Sequence, residues 1–95
     1  DLEWLGKYNA FIEATYTGQR MLDRKTKELL QVVVEAALRA DVEQIQEHVR
    51  LAFREGATPR EVLEALEAVV APMGALAFRR GLQAWAAETG INPGQ

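Results

Sequence analysis

The chain has 95 residues, 48% of them hydrophobic and 26% charged, with 14 acidic side chains against 11 basic ones and a net charge of −3. That is one domain's worth of chain, residues 1–95, and its mixed charges leave no basic footprint for nucleic acid. It contains neither cysteine nor serine, which excludes thiol, disulfide and serine-nucleophile chemistry. In chain order, Trp4, Tyr8 and Phe11 recur at helical spacing, with Leu5, Ile12 and Tyr16 on an adjoining row, and predict a helix over about residues 2–16. "TGQRMLD", Thr17 to Asp23, is a connector, and Asp23 is placed to cap the next helix. That second helix, about 24–39, carries "KELLQVVVEAAL" and is apolar around most of its circumference. One polar stripe remains on it: Arg24, Glu28, Gln31, Glu35 and Arg39.

A third helix starts at Asp41, where Asp41 and Gln44 have the spacing of a capping box. Val42, Ile45, Val49, Ala52 and Phe53 make its apolar stripe, and Gly56 ends it. "TPRE" opens the fourth helix, with Thr58 as cap, Pro59 at the first position and Glu61 closing the box. Val62, Leu66, Val69 and Met73 form its expected buried face, and Pro72 with Gly74 breaks the chain. A fifth helix is predicted over about 75–88, with Phe78, Leu82 and Trp85 inward, followed by Gly90 and a frayed tail, "INPGQ". No segment alternates like a strand, so the fold class is all-α. The longest uncharged run, Ala68 to Phe78, is about half a membrane span and holds Pro72 and Gly74, so no membrane segment is expected. With no signal-peptide pattern and no cysteine, a cytoplasmic location is expected. The apolar surplus of the second helix and of "VVAPMGALAF" predicts burial against further copies of the chain.

His48 is the only histidine. A neutral imidazole takes up and returns protons near neutral pH; the plain alternative is a ring that borders the apolar stripe and satisfies one contact. Asp41 and Gln44 lie two turns and one turn before it, as caps or as pocket residues. Glu28 and Glu35 sit two turns apart on the polar stripe of the second helix. They are either carboxylates held partly dry, suited to proton relay, or a solvated edge flanked by Arg24 and Arg39. With one histidine and no cysteine, no metal site is expected, and no glycine-rich phosphate loop is present.

The order of "LDRKTKELLQVVVEAAL", "HVRLAFREGATPREVLEAL" and "APMGALAFRRGLQAW" over residues 20–88 resembles the carboxymuconolactone decarboxylase family, which includes alkyl hydroperoxidase D-like proteins. The resemblance implies an all-α domain of about five helices in an orthogonal bundle, assembled as a homotrimer or hexamer. The family's peroxidase branch has a CxxC pair seven and four residues before its histidine; here those places hold Asp41 and Gln44, so that cycle cannot run. By the same resemblance the family histidine corresponds to His48. The relay glutamate corresponds to Glu28 or, because the spacing to His48 is one residue longer than in cysteine-bearing members, to Glu35. The decarboxylase branch needs no metal or organic cofactor. It implies a small carboxylic acid or lactone as substrate, His48 as proton donor, and a cation (Arg50, Arg39 or Arg79) to hold the substrate carboxylate, with Asp41 and Gln44 nearby. The alternative is a non-catalytic binding or scaffold protein that keeps the fold and the oligomer.

Overall fold

The computed structural model describes residues 1–18 and 20–92. Its elements are α1 (Leu2–Tyr16), α2 (Arg24–Ala37), α3 (Val42–Arg54), α4 (Pro59–Ala68), the single turn α5 (Val70–Met73) and α6 (Ala75–Thr89). The all-α expectation holds, and no strand occurs among the described residues. Two helix starts follow their local signals. Asp23 accepts a hydrogen bond from the Thr26 amide at 2.8 Å. At α4 the Glu61 amide donates to the Thr58 hydroxyl and the Thr58 amide donates to the Glu61 carboxylate, which closes the capping box.

Three expectations are corrected. Asp41 stands at the N-cap of α3, but its side chain makes no capping hydrogen bond and Gln44 is exposed. Only the Asp41 carbonyl is engaged, by the amides of Gln44 and Ile45, so the pair is not a capping box. The second helix ends earlier than predicted. Arg39 turns to φ 58°, and the amides of Arg39 and Ala40 reach back to the carbonyls of Ala36 and Glu35, the Schellman closure that usually has glycine at the turning position. Met73 is 48% exposed rather than inward: the expected fourth helix is interrupted after Ala68, and Met73 ends the separate turn α5. In the connector, Gln19 lies outside the described residues, as do Pro93, Gly94 and Gln95 of the expected frayed tail. The tail's first residue, Ile91, donates its amide to the Thr89 hydroxyl.

The core joins four helices. Val32 and Ala36 of α2, Ile45, Val49 and Ala52 of α3, Val62 and Leu66 of α4, and Ala84 and Trp85 of α6 are all buried. The Trp85 indole satisfies its one polar group by donating to the Pro59 carbonyl at 2.9 Å. Gly81 allows α6 to approach closely: a Cβ there would stand 2.3 Å from Leu66 Cδ2 and 3.2 Å from Ala36 Cβ. Both neighbours are fully buried and have nowhere to go. Gly81→Val is expected to lower stability by about 1–3 kcal/mol through overpacking. A denaturant midpoint that stays within error of the wild type would contradict this close approach.

The body leaves α1 outside it. No residue of α1 is buried, and the molecule measures 48 × 26 × 26 Å; a helix of this length adds about 22 Å. Trp4 and Tyr8 stack on each other at 5.4 Å, with both rings exposed. Along α2, Leu30, Val34 and Leu38 form a second exposed apolar stripe, continued by Leu22 and Met21. No described helix is long and apolar enough to cross a membrane.

Candidate functional site

The two glutamates of the α2 polar stripe face inward, while Arg24 at its start and Arg39 at its end are exposed. Glu28 is 3% exposed and Glu35 is 8% exposed, whereas the apolar Leu30, Val34 and Leu38 face out. The solvated-edge alternative for the two glutamates therefore does not describe them. Their spacing sets the carboxylates two helical turns apart, about 10 Å along the axis, and the imidazole of His48 on α3 enters between them. His48 Nε2 lies 3.1 Å from Glu35 Oε1, within hydrogen-bonding reach. On the opposite edge of the ring, His48 Nδ1 lies 4.0 Å from Glu28 Oε2. The two carboxylates thus flank the ring rather than converge on one point. Among the described residues no group of three or more histidines and acids could hold a metal ion.

Three buried polar atoms in this cluster lack a hydrogen-bond partner: Glu28 Oε2, Glu35 Oε2 and His48 Nδ1. Orphaned buried polar atoms are costly and rare in folded proteins. Two of them, Glu28 Oε2 and His48 Nδ1, face each other across the 4.0 Å gap. One polar group placed about 2.8 Å from each would satisfy both. Glu28 and His48 both belong to the wall of an open pocket of about 400 Å³, with Ile12 and Tyr16 of α1, Arg24 of α2 and Leu51 of α3. Glu35 is not in that wall; it backs the ring from the protein side. A neighbouring concavity of about 420 Å³ between Tyr16, Met21, Leu22 and Leu30 contains no histidine or carboxylate, so acid–base chemistry has no group to work with there.

Burial pushes the Glu35 carboxyl above its ordinary value of 4.5; the nearby His48 opposes that shift, and the charges of Glu28 and Glu47 add to it. The folded protein therefore retains a proton that the unfolded chain has already released. Stability from this group is fully present below the ordinary value and is lost as pH rises through the raised one. Glu35→Gln removes the buried charge while keeping a carbonyl that His48 can use. The variant is expected to be more stable than the wild type at neutral pH, and the gain should vanish at acidic pH. Thermal unfolding across a pH series checks this; a gain of the same size at every pH would show that the charge of Glu35 is not its cause.

The other sequence-predicted residues lie elsewhere. Asp41 and Gln44 are exposed at the start of α3 and do not line the pocket. Arg50 stands two residues past His48, about 200° around the helix, so it points away. Its guanidinium donates to Glu88 of α6 at 3.0 and 3.3 Å, and that partner holds Glu88 below the usual carboxylate range. Arg39 and Arg79 share a different concavity. The cation in the pocket wall is Arg24, which sequence reasoning treated as the end of a solvated edge. Its Nε lies 3.6 Å from Glu28 and its Nη1 lies 3.8 Å from Glu55. Both contacts are longer than a hydrogen bond, so its donors remain available. The signal was present: Arg24 precedes Glu28 by one turn on the same stripe. The contribution of α1 had no such signal, because nothing in its local pattern says which helix it meets.

A family model described as the carboxymuconolactone decarboxylase family matches residues 3–87. The match takes in α1, so the similarity reaches further toward the start of the chain than the motifs at residues 20–88 indicated. No curated protein and no solved structure matches the chain.

Proposed function

The chain belongs to the carboxymuconolactone decarboxylase family, and from that premise we propose that it is a cofactor-free acid–base enzyme of the lyase type, acting on a small carboxylic acid or lactone. The observation that carries the proposal is the set of orphaned buried atoms at the pocket edge of His48. A substrate O–H set between the two side chains would donate to Glu28 Oε2 and accept from the protonated His48 Nδ1, and Arg24 in the same wall would hold the lactone carbonyl. Decarboxylation breaks the bond between the ring carbon and its carboxylate. The electron pair stays on carbon, spread into the lactone carbonyl, and carbon dioxide leaves. Imidazolium at His48 then delivers a proton to that carbon. Glu35 behind the ring stabilises the imidazolium and fixes its orientation. Thiol peroxidase chemistry is disfavoured, because the chain has no cysteine.

The homo-oligomer belongs to the same proposal. Exposed Leu30, Val34 and Leu38 on α2, with the aromatic face of α1, leave more apolar surface open than a soluble monomer normally carries. A trimer or hexamer would cover it. The test of the catalytic reading is release of carbon dioxide from carboxymuconolactone, followed beside binding measured by calorimetry. Turnover above a heat-inactivated control supports it. Neither turnover nor binding, by an oligomeric and folded sample, would return the protein to the scaffold alternative.

A further inference from the structure

Arg39 and the pair Arg79–Arg80 are remote in sequence, yet they line one surface concavity of about 200 Å³ together with Leu76 and Gln83. It shares no wall residue with the His48 pocket. Arg24, Arg50 and Arg60 each lie within 4.0 Å of a carboxylate. Among the described residues, none of the three clustered arginines has such a partner. Like charges gathered without an acid repel one another, so the fold alone gives no reason for the grouping. The attraction of a helix C-terminus for cations accounts for Arg39 after α2, but not for Arg79 and Arg80 in the second turn of α6, near that helix's positive end. Arg39 also occupies a position that local rules assign to glycine. It is the one non-glycine residue at positive φ among those described, at 58°.

We propose that Arg39, Arg79 and Arg80 form a binding site for a small, multiply charged oxyanion of the phosphate class, either free or as the head of a small phosphate ester. The planar guanidinium fork matches phosphate oxygens in pairs. A single carboxylate would leave two of the three charges unmatched. The concavity is smaller than the 300 Å³ or so at which sites for whole drug-sized ligands begin, so it holds a head group. An adjoining shallow surface at Leu82 and Ala86 offers room for the organic part of an ester.

The test uses the full chain and three probes, sodium diphosphate, inorganic phosphate and phenyl phosphate, against sodium chloride at matched ionic strength. The arginine side-chain N–H signals in nuclear magnetic resonance and the melting temperature are read together. Diphosphate is expected to move the signals of all three arginines and to raise the melting temperature with concentration, as a ligand of the native state does. Tighter binding of phenyl phosphate than of inorganic phosphate assigns the site to an ester; equal binding assigns it to the free oxyanion. R79Q/R80Q should weaken diphosphate at least tenfold. R39G should melt higher than the wild type yet bind at least threefold more weakly, a split that a merely structural arginine would not produce. Equal shifts in chloride, unmoved arginine signals, or undiminished binding by folded R79Q/R80Q would overturn the proposal.

Discussion

His48→Ala is expected to lower turnover on a lactone carboxylic acid by about 10²–10⁴-fold, the range for loss of a positioned proton carrier. The ring lines the pocket and meets Glu35 at 3.1 Å, and neither carboxylate can take over its place between them. The substitution also leaves Glu28 and Glu35 facing each other with less to separate their charges. A stability loss of about 1–3 kcal/mol accompanies the kinetic one, as for any buried group deprived of its partner. Added imidazole distinguishes the two effects. It should restore part of the activity of the folded variant, with a rate that follows the imidazolium fraction, because the vacated space opens onto the pocket. A structural histidine would give no such rescue. Activity of His48→Ala within about threefold of the wild type would remove His48 from the chemistry.

Val34→Glu combined with Leu30→Glu is expected to keep the proposed homo-oligomer monomeric, weakening association by about 10²–10³-fold or more. An uncompensated charge buried in an interface costs about 3–5 kcal/mol. Both residues are roughly half exposed on the chain itself, at 53% and 48%, so a charged side chain there reaches water in the monomer. Glutamate also favours the helix at least as well as valine does. The fold should therefore persist while assembly fails, which circular dichroism and light scattering read separately. A variant that scatters like the wild type would place the interface elsewhere, with the aromatic face of α1 as the next surface to alter.

Glu35 and the pair Leu30 and Val34 lie on different faces of α2, and the sequence of that helix did not say which face was which. Helix starts at Asp23 and Thr58 were legible because capping is local: the side chain and the amide it serves lie three residues apart. Asp41 carried a similar signal and failed it. Its carboxylate makes no hydrogen bond to the first turn of α3, and a capping pattern in sequence does not force a rotamer. Apolar stripes on α3 and α4 were also legible, since a single stripe on a helix has only one side to bury.

On α2 the apolar residues run around most of the circumference, so amphipathicity determined nothing about orientation. Packing against α3 and α6 decided it. Val32 and Ala36 entered the core, Glu28 and Glu35 came with them on the same face, and Leu30 and Val34 were left outside. His48 was identifiable as a candidate because it is unique in the chain, but its two carboxylate neighbours depended on that choice of face. The expectation of Arg50, Arg39 or Arg79 as anchor rests only on the suitability of arginine for anions and on the resemblance. The structure turns Arg50 to Glu88 on α6 and gathers Arg39 with Arg79 and Arg80. Those contacts join residues remote along the chain, and the spacing rules of a helix end within a few turns. Sequence by itself thus determined the helices, the caps at Asp23 and Thr58 and the candidate histidine. Tertiary packing decided which charges meet across helices, because a helix fixes the angles between its own side chains and leaves its rotation against a neighbour to the core.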